Sequence, residues 1–120
     1  MSSGAWVGLA LVGGVGAVAR FLIDGAISPR REGPFPLGTF VINIAGAFTL
    51  GLLTGASVTG AWLFILGTGF LGSFTTFSTW IFETDRLAED GEEGVAGANL
   101  GISVVAGLAA AGAGWAIGAL

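Results

Sequence analysis

The sequence predicts an all-α membrane protein in which four transmembrane helices form a single domain, residues 1–120. Hydrophobic residues make up 53% of the chain and charged residues only 10%, whereas about 25% of residues are charged in an average soluble protein. Four apolar stretches each reach the roughly 20 helical residues that cross a hydrocarbon core. The charges collect between these stretches, so the expected surroundings are a lipid bilayer.

The segments between the predicted helices stop a helix or keep it in water. The helices cover residues 4–27, 37–57, 61–83 and 95–120. Residues 28–36 hold three prolines and three charges, and proline removes a backbone donor and clashes inside a helix. Residues 58–60 predict a tight turn, and the acidic cluster at residues 84–94 predicts a solvated loop.

Tryptophans and arginines indicate how the helices sit in the membrane. Trp6, Trp62 and Trp115 fall at the face opposite to the loops at 28–36 and 84–94, as an interfacial aromatic belt does. Those two loops carry the three arginines outside helix 1, which favours a cytoplasmic location for both loops. Three charges leave insertion in both orientations open.

Helix 1 contains two features that each have two interpretations. GGVGAVAR at residues 13–20 includes a G-x-G-x-x-A pattern, but a dinucleotide fingerprint must follow a β-strand, so we interpret the glycines as a packing face. Arg20 and Asp24 lie four residues apart, a spacing that predicts a pair on one face. The alternative is that Arg20 draws anions into a vestibule.

Helices 2 and 4 carry polar residues at helical spacing. Asn43 shares a face of helix 2 with Thr39, and a second row on helix 4 joins Asn99 to Ser103. An asparagine in lipid must find hydrogen-bond partners. These residues therefore either hold helices together or line a polar track.

Rows of small residues predict close helix packing. Ala47, Gly51 and Gly55 form one row on helix 2, and Gly97 and Gly101 form another on helix 4. Small faces let helices approach in a bilayer, where van der Waals contact drives association. Because four short helices bury little surface alone, we expect an oligomer.

Helix 3 contains the sequence GFLGSFTTFSTW at residues 69–80, with five hydroxyl side chains and four aromatic rings in twelve residues. Glycines followed by hydroxyls predict a local break in the helix, since hydroxyls can replace lost backbone bonds. The freed carbonyls suit a hard cation. Because no carboxylate is near, a monovalent ion is favoured over Ca²⁺ or Mg²⁺.

The aromatic residues of helix 3 form a predicted stripe. Phe70, Phe74 and Phe77 recur at helical spacing, and Trp80 follows three residues later. Aromatic ring edges carry partial positive charge, and nearby hydroxyls and amides donate hydrogen bonds. These groups suit a small, strongly hydrated anion.

The residues that the chain lacks narrow its function. It has no cysteine and no histidine, which removes thiol chemistry and the usual proton carrier. Four arginines and no lysine provide no basic stripe for nucleic acid. No acid lies in the middle of a predicted helix, where a proton-coupled transporter usually has one. No catalytic constellation is present, so the sequence predicts that the protein is not an enzyme.

Three motifs resemble the Fluc fluoride channels, also called the CrcB family. They are GGVGAVARF in helix 1, PLGTFVINIAG in helix 2, and GFLGSFTTFSTW followed by Glu83 in helix 3. The likeness covers essentially the whole chain. It implies a dual-topology homodimer of antiparallel subunits, with two fluoride pores and a structural Na⁺ at the dimer centre.

The resemblance also implies roles for individual residues. The backbone carbonyls of Gly72 and Thr75 hold the Na⁺ together with their dimer mates. The fluoride pathway uses Asn43 as a pore-lining donor, Phe77 by its ring edge, Ser103 in a hydroxyl track, Thr79 and Glu83 along the exit path, and Arg20 in the vestibule.

The chain departs from the family in the fluoride pathway itself. Where the family often reads TTFSTF followed by serine, this chain has Trp80 and then Ile81. An indole is larger than a phenyl ring and adds an N–H donor. Both the shape of the fluoride-contacting box and the conduction rate depend on this substitution.

The resulting expectation is a fluoride-selective channel that exports fluoride passively across a prokaryotic cytoplasmic membrane and so lowers fluoride toxicity. A small proton-coupled multidrug exporter with four helices is the alternative, although it normally needs a mid-helix carboxylate in helix 1. A structural or pore-forming membrane protein such as a holin is a third candidate, in which the ordered polar rows are incidental.

Overall fold

A computed structural model describes residues 1–120 in full, and the chain is built of helices. They are α1 (Ser3–Ile27), α2 (Leu37–Gly55), α3 (Gly60–Leu63), a π-helical segment (Phe64–Leu71), α4 (Gly72–Phe74), α5 (Ser78–Glu89) and α6 (Glu93–Gly118). Four spans are long and apolar enough to cross a membrane: Ser3–Arg30, Leu37–Gly55, Gly60–Glu89 and Glu93–Gly118. The predicted multi-pass arrangement of four helices is confirmed.

Local sequence signals set the ends of the first two spans. Ser2 caps α1, because its Oγ accepts a hydrogen bond of 3.1 Å from the amide of Ala5. A 3₁₀ turn at Ser28–Arg30 contains the first proline and ends this span. After α2, Ser57 has a φ of 62°, a left-handed conformation that lets the chain reverse within a few residues.

The loop predicted at residues 84–94 is wrong in its first half, because α5 continues as a helix to Glu89. Leu87 is buried and anchors this extension, and the guanidinium of Arg86 lies 5.8 Å from the centroid of the Phe82 ring. Leucine, alanine, arginine and glutamate all favour helix, so the charged residues here solvate a helix and do not end it. Only residues 90–92 connect α5 to α6.

Helices α2 and α6 pack backbone against backbone. A side-chain carbon at Gly51 or Gly55 would clash with the backbone of α6, and one at Gly114 would clash with the Phe48 carbonyl of α2. The row predicted on helix 2 is therefore confirmed as a packing face at Gly51 and Gly55, whereas Ala47 lines an open cleft. The predicted row at Gly97 and Gly101 makes no such contact, since nothing lies within 4 Å of a Cβ built at either position.

Glycines of α1 bring it against the third span. Gly13 and Gly16 are buried, and an added Cβ at Gly16 would clash with the carbonyl of Phe70. On the third span, Gly69 packs against α1, since the carbonyl oxygen of Leu9 would lie only 3.1 Å from a Cβ built on Gly69. The interpretation of the GGVGAVAR glycines as a packing face is confirmed for Gly13 and Gly16, whereas nothing lies within 4 Å of a Cβ built at Gly14.

The third span loses α-helical geometry in two steps. The π-helical segment widens the helix, so that the amide of Gly72 donates to the carbonyl of Gly67 five residues earlier. The chain then leaves the helix at Thr75, which is extended with a φ of −80° and a ψ of 162°, and helix resumes at Ser78. We refer to residues 75–77 as the break, and the predicted break in helix 3 is confirmed.

Tryptophan side chains gather at one end of the spans. Trp6, Trp62 and Trp115 are all more than half exposed. The Trp6 ring meets Phe64 edge-on at 5.0 Å between centroids, and the backbone of Trp115 lies against Gly55. The start of the first and third spans and the end of the fourth therefore share one face, as an aromatic belt requires.

Candidate functional site

Asn43 of α2 holds the break in place. Its Nδ2 donates to the carbonyl of Thr76 at 2.9 Å, and its Oδ1 accepts from the amide of Thr76 at 2.8 Å. One side-chain amide thus supplies both hydrogen bonds that a backbone residue loses when it leaves a helix. Gly46, one turn further along α2, leaves room for the side chain of Thr75.

Hydroxyl groups complete the hydrogen bonds around the break. Thr75 Oγ1 donates to the carbonyl of Leu71 at 2.8 Å, and Thr76 Oγ1 accepts from the amide of Thr79 at 3.2 Å. Side-chain oxygens can replace the backbone acceptors that an interrupted helix no longer offers. The sequence correctly predicted this use of the hydroxyls, but not Asn43 as the partner of Thr76.

The break frees specific backbone carbonyls. In an intact helix the amides of Thr76 and Thr79 would donate to the carbonyls of Gly72 and Thr75. Here those two amides are directed instead to Asn43 Oδ1 and Thr76 Oγ1. Gly72 and Thr75 therefore keep carbonyl oxygens without helical donors, and no cluster of carboxylates accompanies them. This donor set fits a hard monovalent cation and does not fit Ca²⁺ or Mg²⁺.

An open cleft of about 390 Å³, which we call the break cleft, lies beside these residues. Its lining comprises Asn43, Gly46, Ala47, Leu50, Gly67, Leu71, Gly72, Thr75, Thr76, Phe77 and Trp80. It brings Gly72 and Thr75 onto the same wall as Asn43, Phe77 and Trp80. The two residues of the expected cation site and three of the expected anion pathway are therefore neighbours.

A second opening of about 290 Å³, which we call the α6 groove, lies on the other side of Asn43 and Trp80. It is lined by Asn43, Ile44, Trp80, Ser103, Val104, Gly107 and Leu108. Asn43 and Trp80 line both openings, so they form the wall between them. Ser103 lines this groove and lies on the same face of α6 as Asn99, as the sequence predicted.

The aromatic stripe predicted on helix 3 is not continuous. Phe70 and Phe74 stack with centroids 5.6 Å apart, and Phe74 is buried. Phe77 meets Trp80 edge-on at 5.6 Å with an interplanar angle of 72°, and 71% of Phe77 is exposed. The break changes the direction of the chain between Phe74 and Phe77, so one stripe becomes an inner pair and an outer pair.

Arg20 lies in a third opening of about 260 Å³, the arginine groove. Thr79 and Thr39 also line it, whereas Ser103 and Phe77 do not. The predicted ion pair between Arg20 and Asp24 does not form, although both side chains line this groove. Asp24 Oδ1 instead accepts a 2.7 Å hydrogen bond from the Ser28 hydroxyl on the following turn.

Glu83 lies in a separate cleft of about 270 Å³ near the first and third connections. Arg31 and Arg86 line the same cleft. Glu83 Oε1 is buried without a hydrogen-bond donor, and Thr39, which also lines the arginine groove, is a neighbour of the carboxyl. The expected site residues thus fall into three groups: at the break with the adjoining α6 groove, in the arginine groove, and around Glu83.

Comparisons with known proteins agree on one family. The family model described as "CrcB-like protein, Camphor Resistance (CrcB)" matches residues 7–115. A Mycolicibacterium paratuberculosis protein named "Fluoride-specific ion channel FluC 2" is 52% identical over 106 residues, which cover 88% of this chain and 87% of the relative.

Two further relatives carry the same kind of name. "Fluoride-specific ion channel FluC 2" of Mycobacterium tuberculosis is 49% identical over 106 residues, covering 88% of this chain and 84% of the relative. "Fluoride-specific ion channel FluC 1" of Symbiobacterium thermophilum is 45% identical over 119 residues, covering 94% of this chain and 96% of the relative.

Proposed function

The chain belongs to the CrcB family, and on this premise we propose that it is a fluoride-selective channel through which fluoride leaves the cytoplasm passively. The observation that carries the proposal is the uncharged wall, formed by the amide of Asn43 and the ring of Trp80, between the break cleft and the α6 groove. Fluoride is small and strongly hydrated. A conducting site must replace its water shell with several groups that each hold the ion weakly.

Three kinds of group in and beside this wall suit a dehydrated fluoride ion. The amide of Asn43 has two N–H bonds, of which the Thr76 carbonyl takes one, so the other is left for an anion. Ser103 offers a hydroxyl, and Phe77 and Trp80 offer ring edges with partial positive charge. None of these groups carries a full charge, so the ion is stabilised without being trapped.

One end of the pathway is assigned to the residues around two charged side chains, Arg20 and Glu83. Arg20 is half-buried in the arginine groove, where a cation raises the local concentration of anions. Thr79 shares this groove, and Thr39 connects it to Glu83. Arg20, Thr79 and Glu83 thus lie at one end of the pathway, and we assign Arg20 to the vestibule and Thr79 and Glu83 to the exit path beside it.

A second copy of the chain would cover the break. Gly72 and Phe77 are exposed in the middle of the third span, and a non-helical backbone is tolerated at membrane depth only inside protein or along water. We propose a homodimer, with antiparallel subunits inserted in both orientations and one pore for each. The thin arginine bias between the two sides supports dual insertion.

A structural Na⁺ at the dimer centre is part of the same proposal. The free carbonyls of Gly72 and Thr75 would hold it, together with the same carbonyls of the partner. Oxygen ligands without carboxylates suit a monovalent cation. When bound, the ion supplies positive charge at the point where the four carbonyl dipoles would otherwise repel one another.

The test is fluoride efflux from liposomes that contain the purified protein, followed with a fluoride electrode. Fluoride should leave once a potassium ionophore balances the charge, while chloride stays inside. Protein-free liposomes provide the baseline. Equal loss of fluoride and chloride would contradict selectivity and favour a non-selective pore former.

The proton-coupled exporter makes a different prediction in the same liposomes. It requires a pH gradient and transports organic cations, so fluoride efflux at equal pH on both sides argues against it. The only carboxyl of α1 belongs to Asp24, close to the end of that helix and bonded to Ser28. We place the channel in a prokaryotic cytoplasmic membrane, consistent with the bacterial relatives.

A further inference from the structure

A closed ring of hydrogen bonds ties Trp80 of α5 to α6. Trp80 Nε1 donates to the carbonyl of Asn99 at 3.1 Å. Asn99 Nδ2 donates to Thr84 Oγ1 at 2.8 Å, and Thr84 Oγ1 donates to the carbonyl of Trp80 at 2.8 Å. Asn99 is 1% exposed and Trp80 and Thr84 are half-buried, so the Asn99 side of the ring is shielded from lipid and water.

The ring of bonds fixes which part of the indole meets the pathway. Trp80 lines the break cleft and the α6 groove, and its only N–H points to the carbonyl of Asn99. Turning the side chain would leave that donor unpaired inside the membrane, which is costly. The openings therefore face carbon-bound ring atoms, as they would with a phenylalanine.

Asn99 also controls the hydroxyl next to this wall. Ser103 Oγ donates to Asn99 Oδ1 at 3.4 Å, close to the outer limit for a hydrogen bond. Such a long bond constrains the hydroxyl only weakly and leaves its hydrogen available to a stronger acceptor. A bare fluoride ion in the α6 groove is such an acceptor.

We propose that Asn99 is a positioning residue, which holds the Trp80 indole as a fixed wall of the pathway and keeps its N–H away from the ion. The proposal rests on the proposed fluoride channel function. It assigns fluoride to the Trp80 ring edge and the Ser103 hydroxyl, and it makes Thr84 the acceptor that keeps Asn99 in position.

The first test follows the indole N–H directly. The four tryptophans of the reconstituted protein are labelled with ¹⁵N, and the signal lost in Trp80→Phe identifies the Trp80 indole. We expect this signal to stay in place during a titration with sodium fluoride, with sodium chloride as the matched control. A shift that appears with fluoride alone would mean that the N–H binds the ion, and would overturn the proposal.

The second test compares two substitutions of one residue. Thr84→Val removes the acceptor for Asn99 with little change in shape, and Thr84→Ser keeps it. We expect Thr84→Val to speed hydrogen exchange at the Trp80 indole and to lower fluoride efflux by roughly tenfold, while Thr84→Ser matches the unaltered protein. Unchanged exchange in Thr84→Val would overturn the proposal.

The two tests separate this proposal from the function on which it rests. If the unaltered protein releases no fluoride from liposomes, the channel function fails, and the hydrogen exchange of the two Thr84 variants still decides whether Asn99 holds the indole. If Thr84→Val does not assemble, the fluoride titration of the unaltered protein decides where the N–H points.

Discussion

The α2–α6 interface and the break in the third span differ in what lies next to the backbone. At the interface it is the backbone of another helix, and at the break it is polar side chains. α2 and α6 are uninterrupted helices that meet through glycines, where any side-chain carbon would clash. At the break, the side chains of Asn43 and Thr76 replace backbone partners. The first region keeps its polar groups inside each helix and gains rigidity, whereas the second leaves polar groups available to ions.

The difference indicates how one small chain can be both stable and conductive. Van der Waals contact between small faces holds helices together in lipid, and it needs no group that an ion could use. The break depends on few side chains, so each of them matters to both shape and transport. Substitutions in the two regions should therefore separate stability from conduction.

The largest effect is expected at Asn43. Asn43→Asp removes the N–H that reaches the Thr76 carbonyl and places a carboxylate where the anion must pass, so fluoride efflux should be abolished. Thr54→Val is the control on the same helix, because the Thr54 hydroxyl bonds only to carbonyls of its own helix. Efflux from Asn43→Asp at the unaltered rate would remove Asn43 from the pathway.

Phe77→Ala tests the outer aromatic pair. Phe77 is exposed and contacts Trp80 edge-on, so its loss costs the subunit little packing but removes a ring edge from the break cleft. We expect fluoride efflux to fall below detection while gel filtration still shows the assembled protein. Retained efflux would assign the cleft to packing between subunits.

Gly51→Ala tests the α2 and α6 interface by itself. The added methyl group would clash with the carbonyl of Ala111, and overpacking of this kind lowers the free energy of unfolding by about 3 kcal/mol. Gly112→Ala is the matched control, since nothing lies within 4 Å of its Cβ. Thermal unfolding in detergent measures both, and equal melting temperatures would contradict the close contact.

Removal of sodium should have the smallest effect and should act only at the break. Replacing Na⁺ by N-methylglucamine takes away the cation proposed at Gly72 and Thr75. At a sodium concentration about five times the dissociation constant, the loss of stability is about 1 kcal/mol. Melting temperatures of the assembled protein with and without Na⁺ check this. The control replaces choline, which should not bind the site, by N-methylglucamine. If the two replacements change the melting temperature equally, no sodium site exists.

Local properties of the sequence predicted most of the fold. Apolar length gave the four spans, and the dense hydroxyls after Gly72 predicted the break, because the ability to replace a backbone bond belongs to each side chain. The loop predicted at residues 84–94 failed for the same local reason. Charge was taken as a sign of loop, but a charged segment that buries Leu87 extends a helix into water.

Pairings between distant residues were beyond such reasoning. The sequence predicts that Asn43 must find hydrogen-bond partners, but it does not identify Thr76, 33 residues later, as the partner. The spacing of Arg20 and Asp24 predicts an ion pair, but the hydroxyl of Ser28 donates a hydrogen bond to the Asp24 carboxylate instead. The sequence also contains glycines along the whole of α6, of which Gly114 and Gly118 pack against α2, whereas the predicted row at Gly97 and Gly101 makes no such contact within the chain.

The sequence by itself therefore determined the membrane class, the number of spans, the weak point of the third span and the absence of a mid-span acid. These depend on the solvation and hydrogen-bonding capacity of single residues. Tertiary structure alone decided that Asn43 clamps the break, that the aromatic stripe divides after Phe74, and that the Trp80 N–H is held by Asn99. Those outcomes depend on how each helix is rotated against its neighbours, and side-chain identity does not fix that rotation.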